Sequence, residues 1–268
     1  MANIANLMGV PIANIAKVMG VSKSTLSKIM GLSLGVPVSG AVLHIDASLL
    51  GTGTGINAVT TPVANLGSQG GSFDVGGYDV VASAIGGKNA LKFNGTDQYI
   101  KSTNAYTNSG TTMTLFFVAQ RYATGDEYDG YMASTYPGTK DFNDIRNFAH
   151  QIGGGTLAHQ RDGDMATLTP HPSNGTNFIN VVKFDGANFI QYKKEGATIT
   201  ASLTTPKIGS FGCTETAIGC RLAGDSPTGK PNSFAPIYIG EVLIYNSALS
   251  DDDRLAVMNY LSAKWGIL

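Results

Sequence analysis

Residues 239–268 read IGEVLIYNSALSDDDRLAVMNYLSAKWGIL, and this stretch decides the fold class. The stretch begins within an apolar run, Pro236–Asn246, that is typical of a buried β-strand. Ser250 then precedes three aspartates, which places a capping hydroxyl and negative charge at the positive end of a helix. An apolar stripe follows at three- or four-residue spacing: Leu255, Met258, Leu261 and Trp265. Because Gly266 comes next, we predict an amphipathic helix that ends there, with Trp265 in the core.

Working outward, the chain from residue 41 onward predicts many short strands. Glycine accounts for 34 of 268 residues, about twice its ordinary share and without a collagen period, which indicates many tight turns. Residues 51–87 look rich in loops, and residues 121–177 are ambiguous. The predicted strands are Ala41–Asp46, Ala90–Phe93, Gln98–Lys101, Met113–Gln120, Asn147–Ile152, Thr156–Arg161, Phe178–Phe184, Asn188–Lys193, Ala197–Leu203, Ala217–Leu222 and Pro236–Asn246.

The order of these strands predicts a mostly β protein. Met113–Gln120 is the most apolar strand and is expected to be central. The Asn94-Gly95 and Asp185-Gly186 dipeptides predict hairpin turns between their flanking strands. Antiparallel strands followed by a single terminal helix indicate a jelly-roll β-sandwich with a C-terminal helix.

Composition excludes several classes of protein. The net charge is −1, which argues against a general nucleic-acid surface. No apolar run approaches 18 residues, so no membrane-spanning segment is expected. Cys213 and Cys220 are too few for a disulfide framework and match no metal motif.

The first 32 residues carry an eleven-residue repeat, in which each copy ends on a Met-Gly pair. Its apolar spacing predicts short helices that bury too little surface to fold alone, so they must dock on themselves, on sister chains or on a host. We therefore predict a helical docking segment over residues 1–36, a linker over 37–40 and the sandwich over 41–268. The predicted docking residues are Ile4, Leu7, Met8, Ile15, Val18, Met19, Gly20, Leu26, Ile29 and Met30.

Three stretches resemble a known family. Residues 93–100 (FNGTDQYI), 180–196 (NVVKFDGANFIQYKKEG) and 239–268 are similar to hairpins and the closing segment of laminin-G-like domains, which belong to the concanavalin A-like lectin/glucanase superfamily. The resemblance implies a two-sheet jelly roll of about a dozen strands over residues 41–268. The repeat before it resembles N-terminal segments of bacteriophage virion proteins.

Hydrolytic chemistry is not expected. Glucanases of this superfamily place paired carboxylates on one strand, because glycoside hydrolysis needs two of them facing one cleft. The chain has only four glutamates and none lies in such a motif, so Glu241 is interpreted as a structural carboxylate. Residues 31–35 (GLSLG) fit a nucleophile elbow, but Ser33 occupies the same repeat position as Ser22 and Pro11. The sequence therefore predicts a protein that is not an enzyme.

Residues 15–30 offer an alternative, because they resemble a DNA-binding helix-turn-helix with Gly20 at the turn. Residues 4–11 repeat the same pattern, and three lysines form a weak phosphate-binding surface, so helix docking is favoured.

No cofactor is predicted, and calcium is the one ion that the sequence leaves open. Members of the superfamily hold calcium in loops through carboxylates and carbonyls. Acidic residues cluster at Asp126, Glu127 and Asp129, at Asp141 and Asp144, and at Asp162 and Asp164, without forming a calcium-loop motif.

The strongest local signal for a ligand is the aromatic density of residues 122–148. Sugars stack on exposed aromatic faces while Asp and Asn side chains bind their hydroxyls. The alternative is that these rings pack a loop onto the sheet or fill a subunit interface. The predicted carbohydrate-binding residues are Tyr122, Tyr128, Tyr131, Tyr136, Asp126 and Asp129.

Together these observations favour a non-enzymatic bacteriophage structural protein located in the virion. It is expected to be a capsid decoration, fibre or tail-adhesion protein that forms a homo-oligomer, with a trimer as one form. Its expected partners are other capsid or tail proteins and a host-surface glycan, with no nucleic acid and no membrane. A free carbohydrate-binding lectin and a DNA-associated protein are the alternatives.

Overall fold

The computed structural model describes residues 6–7, 10–11, 35–153, 156–161, 164–204, 209–224 and 230–268, with side chains described over 35–152, 167–203, 209–224 and 230–268. The strands, in chain order, are β1 (Asn6–Leu7), β2 (Val10–Pro11), β3 (Leu43–Asp46), β4 (Gly53–Asn57), β5 (Val63–Ala64), β6 (Ser72–Phe73), β7 (Val75–Ile85), β8 (Lys88–Asn94), β9 (Tyr99–Ser102), β10 (Met113–Arg121), β11 (Gly130–Thr135), β12 (Phe148–Gly153), β13 (Thr156–Arg161), β14 (Asp164–Leu168), β15 (Asn177–Phe184), β16 (Phe189–Glu195), β17 (Thr198–Thr204), β18 (Glu215–Ile218), β19 (Arg221–Gly224), β20 (Lys230–Asn232) and β21 (Pro236–Tyr245). A short 3₁₀ turn covers Ala47–Leu49, and the helix α1 covers Asp251–Trp265.

The main sheet is antiparallel and curls back on itself. Its order is β14-β13-β12-β11-β18-β9-β7-β8-β21-β10-β15-β16-β17, with β3 beside β21 and β4 beside β7. The long strand β7 joins the two walls, because it pairs first with β9 and then with β8. At the far end β14 lies against β16 and β17. The result is the β-sandwich with a C-terminal helix that the sequence predicts.

The strand β10 lies at the centre of one wall, as predicted, between β15 and β21. Its alternate side chains, among them Leu115 and Phe117, enter the core between the walls, whereas Phe116 and Val118 face the helix. Both faces of this strand are therefore buried, which explains its continuous apolar run.

The helix α1 covers the outer face of this wall. Ser250 accepts a hydrogen bond from the Asp253 amide at 3.1 Å, and Gly266 ends the helix in the left-handed conformation at φ 65°. Met258, Leu261 and Trp265 are buried as predicted. Leu255 is not: it is 37% exposed, whereas Val257, which was not part of the predicted stripe, is fully buried.

A β-bulge at Gly240 determines where Glu241 points. The pairing register with β10 skips Gly240, so Val118 opposes Glu241 and Ala119 opposes Ile239. The side chain of Glu241 consequently faces the helix rather than the inner core. Gly240 itself has to be small, because an added Cβ would lie 2.9 Å from the Trp265 ring.

The two hairpin predictions have different outcomes. The hairpin at Asp185-Gly186 is confirmed, since β15 pairs with β16 and Phe184 opposes Phe189. The hairpin at Asn94-Gly95 is wrong, because β8 and β9 both pair with β7, one after the other, and not with each other. The Asn94 carboxamide accepts from three following amides and so bends the chain from one wall into the other.

Most of the N-terminal docking segment lies outside the described residues, including the side chains of all ten predicted docking residues. Backbone positions 6–7 and 10–11 form the short antiparallel pair β1–β2, with Leu7 opposite Val10. The helix expected for the first repeat is therefore not what these positions form, and Val10 and Pro11 are poor helix formers. Val38, in the predicted linker, and Val36, just before it, pack against the apolar cluster that includes the buried side of α1.

Candidate functional site

The predicted ligand residues lie at two opposite ends of the sandwich, because the unpredicted strand β11 runs between them. Tyr122, Asp126, Tyr128 and Asp129 precede β11, and Tyr136 follows it. A six-residue strand spans roughly 20 Å, so these residues cannot form one site. We call the two regions the Asp129 end and the Tyr136 end.

The Tyr136 end contains a groove of about 350 Å³. It is lined by Gln69, Thr107, Asn108, Ser109, Tyr136, Gly212, Cys213, Thr214 and Asn246. These residues come from five separate segments, so apart from Tyr136 no local sequence signal points to them. Their amides, hydroxyls and one aromatic ring are the groups with which proteins bind saccharides.

The Tyr136 ring is held in place by a stacked guanidinium. The Arg146 guanidinium carbon lies 3.5 Å from the centre of the ring. The same guanidinium donates two hydrogen bonds to Asp144, at 2.9 and 2.6 Å, and this interaction holds the pKa of the Asp144 carboxyl below its usual value. Tyr136 remains 39% exposed, so part of the ring stays open to solvent beside the groove.

The loop of residues 136–147, which contains this ring, is fixed by hydrogen bonds to buried side chains. The buried Asn147 accepts from the Tyr136 amide at 2.6 Å and donates to Thr139 and Lys140. Further along, the buried Asp141 carboxylate accepts two hydrogen bonds from Arg221, at 3.1 and 2.6 Å. The loop is therefore ordered before any ligand arrives, which lowers the entropic cost of binding.

Internal hydrogen bonds also fix the amides that line the groove. Gln69 donates to the Thr107 carbonyl at 2.8 Å, Asn246 donates to the same carbonyl at 2.9 Å, and Asn108 donates to Thr112 at 3.3 Å. Among the described residues, two oxygens, Asn246 Oδ1 and Thr214 Oγ1, have no hydrogen-bond partner, and both are enclosed by the protein beside the groove. Such atoms are uncommon in folded proteins.

The Asp129 end is different. The Asp129 side chain is buried, and its Oδ2 has no hydrogen-bond partner among the residues that the structure describes. Burial, together with the neighbouring Asp126, raises the pKa of Asp129 to about 6. Gly125 packs so tightly that an added Cβ would overlap the carboxylate. Tyr128 is 42% exposed and adopts a φ of 68°, which is unfavourable for a bulky residue.

Two of the predicted sugar-stacking rings are structural. Tyr131 is fully buried, and its hydroxyl bonds His171, so the prediction that it contacts sugar is wrong. Every residue of β11 is buried, and the Tyr131 ring packs against Phe117 and Phe178. Burial raises the pKa of Tyr131 and lowers that of His171 to about 4. Tyr122 packs on Tyr238 and donates to the Phe93 carbonyl at 2.9 Å.

Glu241 belongs to a polar cluster beneath α1. Its two oxygens contact His44 Nε2 at 2.9 Å, Trp265 Nε1 at 2.8 Å and Lys264 Nζ at 2.6 Å, and they accept from Tyr260 at 3.1 Å. Lys264 also donates to Asp46 at 2.6 Å. Glu241 is fully buried, so these contacts make it a structural carboxylate that ties the helix to the sheet.

The same cluster contains metal-ligand types. Among the described residues, His44, Asp46 and Glu241 bring a ring nitrogen and two carboxylates within 4.8 Å of one another. The Lys264 ammonium already lies against both carboxylates. Because the protein supplies the cation itself, the donor set does not fit a metal ion.

The acidic residues predicted as calcium candidates have separate environments. Asp141 pairs with Arg221 and Asp144 pairs with Arg146, which removes both from ion binding. Asp129 is enclosed, and Asp162 and the side chain of Asp164 lie outside the description. Calcium binding stays a prediction. Within the described residues, no helix is both long and apolar enough to cross a membrane.

Neither a protein-family model nor a curated protein sequence matches the chain. Among solved structures, it is similar to a mutant GH54 α-L-arabinofuranosidase soaked with 4-nitrophenyl α-L-arabinofuranoside, with 12% identity, a TM-score of 0.56, and coverage of 87% of this chain and 61% of that chain. This similarity supports the β-sandwich fold alone. The chain spans less than two thirds of the arabinofuranosidase.

Two further structures are less similar. The CBM40 of Ruminococcus gnavus IT-sialidase, bound to α2,3 sialyllactose, is 16% identical with a TM-score of 0.44, over 56% of this chain and 83% of that chain. The full-length tailspike protein 2 of Escherichia coli O157:H7 bacteriophage CAB120 is 16% identical with a TM-score of 0.49, over 79% of this chain and 28% of that chain. The resemblance to laminin-G-like domains and to phage proteins stays a prediction.

Proposed function

We propose that this protein is a non-enzymatic, glycan-binding β-sandwich and that the groove at the Tyr136 end is its binding site. The observation that carries this proposal is the Tyr136 ring, which lies half-exposed at a groove of about 350 Å³ and is held by Arg146 from one side. A ring fixed in this way offers a sugar an apolar face without losing side-chain entropy. Amide and hydroxyl groups beside it supply hydrogen bonds to sugar hydroxyls.

A comparison of single substitutions tests this proposal. Binding of the purified protein to an array of oligosaccharides identifies a ligand, and calorimetry then measures its affinity. Tyr136→Ala is expected to lower the affinity at least tenfold, whereas Tyr136→Phe keeps the ring and most of the binding. Tyr128→Ala at the Asp129 end is the matched control and should leave affinity unchanged. Equal losses for Tyr128→Ala and Tyr136→Ala would overturn the assignment of the site.

Absence of catalysis is part of the proposal. Glu241 is engaged by four side chains, Glu195 contacts Lys193 at 3.0 Å and Glu215 contacts Lys101 at 3.4 Å. Glu241 lies near one other carboxylate, Asp46, but Lys264 pairs with both. Within the part of the chain that the structure describes, none of these three glutamates therefore faces an unpaired carboxylate across a cleft, as glycoside hydrolysis requires. We expect no release of 4-nitrophenol from aryl glycosides and no new reducing ends from a bound oligosaccharide. Turnover that Glu241→Gln abolished would contradict this expectation.

We further propose that the protein is a structural component of a bacteriophage virion, in a capsid decoration, fibre or tail-adhesion role. The eleven-residue repeat supports this proposal, because such a segment needs a larger partner to bury its apolar residues. Its partners would be capsid or tail proteins and sister copies of the chain. The segment that follows the repeat joins the sandwich near the groove. There the Val42 amide donates to the Ile244 carbonyl at 2.8 Å, and the amide of Gln69, a groove residue, donates to the Val42 carbonyl at 3.3 Å.

Equivalent positions of the repeat allow a test of docking. Replacing Met8, Met19 and Met30 together with serine removes one apolar residue from each copy while leaving the sandwich sequence intact. The variant should keep its melting temperature and its glycan affinity but fail to co-purify with phage particles. Normal incorporation into particles would contradict the docking role. Loss of glycan affinity would show that the repeat and the groove depend on each other.

A further inference from the structure

The groove at the Tyr136 end is built from uncharged groups. Within the described part of the chain, none of the nine residues that line it is charged. The nearest guanidinium, on Arg146, is bonded to both oxygens of Asp144 and stacked on Tyr136, so its charge is already compensated. An anionic ligand would therefore lose its hydration without gaining a counter-charge.

The amides that line the groove are held in place by the protein itself. Gln69, Asn108 and Asn246 each have an amide nitrogen that donates to a main-chain carbonyl. Asn246 Oδ1 and Thr214 Oγ1 have no hydrogen-bond partner among the described residues, but both atoms are enclosed by the protein. The groove therefore offers a ligand uncharged groups in fixed positions and no ionic partner.

On the basis of the proposed function, we infer that the groove selects neutral saccharides and rejects those that carry a carboxylate or sulfate, because none of the residues that line it supplies a positive charge. The discrimination arises from the lost hydration of the acidic group, which the groove does not compensate. Neutral hexose and N-acetylhexosamine units belong to the accepted class. Sialylated, uronic and sulfated units belong to the rejected class.

Matched pairs of saccharides test the inference on the full-length protein. Lactose is compared with lactose 3′-sulfate, and N-acetyllactosamine with its sialylated form, together with the neutral and acidic members of any pair found on an array. Neutral members should bind at least tenfold more tightly than their acidic partners, and their affinity should not change between 50 and 300 mM salt. Equal or tighter binding of the acidic members would overturn the inference.

Introducing a positive charge should relax the selectivity. Thr214→Lys places an ammonium in the groove, and Ser109→Lys places one at its exposed rim in case Thr214→Lys does not fold. Either variant should raise the affinity for the acidic members at least threefold, with a gain that falls as salt rises. Ser173→Lys, exposed near the Asp129 end, makes the same charge change and should have no effect.

The outcomes separate this inference from the proposed function. If acidic and neutral members bind equally and both depend on Tyr136, the groove is a glycan site and only the selectivity is wrong. If no saccharide of either kind binds in a Tyr136-dependent way, the proposed function fails and the selectivity fails with it. Unchanged preference in both lysine variants would show that the lack of positive charge in the groove does not set the specificity.

Discussion

The two ends of β11 contain similar residues but have different physical properties. At the Tyr136 end the neighbouring charges are paired, the loop is pinned by Asn147, and an aromatic ring remains open beside a groove. At the Asp129 end one oxygen of a buried carboxylate has no partner in the described part of the chain, and Tyr128 adopts an unfavourable backbone angle. In the sequence both belong to one aromatic-rich stretch. The difference shows that aromatic density identifies a region, whereas only the pairing of its polar groups identifies a site.

The largest expected effect comes from the packing of α1 on the sheet, which supports both ends of the sandwich. Trp265 is fully buried and bonds Glu241, and α1 packs on the wall that contains β10 and β21. Trp265→Ala should lower the free energy of unfolding by about 3–5 kcal/mol, because it leaves a large cavity. Urea titration followed by fluorescence and by glycan binding should show both ends lost together. The control, Leu255→Ala on the exposed side of α1, should cost less than about 0.5 kcal/mol. Separate transitions for the two ends would show that they are independent units.

The next effect belongs to the Asp129 end alone. Because the pKa of Asp129 is raised in the folded state to about 6, its favourable contribution is complete below pH 3.8 and is lost as pH rises through 6. Asp129→Asn should therefore match the wild type near pH 3.5 and be more stable at pH 8, by at most about 3 kcal/mol. Urea midpoints measured from pH 3.5 to 8 give the difference. A variant less stable than the wild type at pH 8 would mean that the carboxylate is compensated.

A smaller effect tests whether the Tyr136 end is ordered in advance. Asn147→Ala removes the hydrogen bonds that Asn147 makes with the Tyr136 amide and the Lys140 carbonyl, which should cost about 1–2 kcal/mol and weaken glycan binding several-fold. Hydrogen exchange of residues 136–147 should quicken, while exchange near Asp129 stays unchanged. Asn143→Ala removes only an exposed hydrogen bond from the Lys140 amide in the same loop and should have a smaller effect on both measurements. Full affinity in Asn147→Ala would show that the loop orders on binding.

The smallest expected effect is a gain in stability at the Asp129 end. Tyr128 has a φ of 68°, where glycine is favoured over a bulky residue. Tyr128→Gly should raise the free energy of unfolding by about 0.5–1 kcal/mol and leave glycan binding intact. Thermal melts of Tyr128→Gly and Tyr128→Ala separate the backbone effect from loss of the ring. Destabilisation by both substitutions would show that the Tyr128 ring contributes to folding.

Local interactions explain what could be predicted from the sequence. The helix α1, its Ser250 cap and its Gly266 end depend on residues within a few positions of each other. The burial of β10 follows from its own apolar run, and the Asp185-Gly186 hairpin follows from its own turn. The predictions failed where local signals were ambiguous. The strand β7 was not predicted, because Gly76 and Gly77 make its first residues look like a loop. The Asn94-Gly95 pair is typical of a hairpin, but it bends the chain from one wall to the other.

The sequence by itself determined the β-sandwich with its terminal helix, because apolar period, capping residues and turns act over short distances. Only the tertiary structure decided the candidate site. The groove is lined by residues from separate segments, the first at Gln69 and the last at Asn246, and no local sequence pattern indicates that they lie close together. The orientation of Glu241 likewise depends on a bulge in its pairing with β10. The physical reason is the same in both cases: the free energy of long-range pairing between strands, not local propensity, sets which polar groups meet and which remain unbonded.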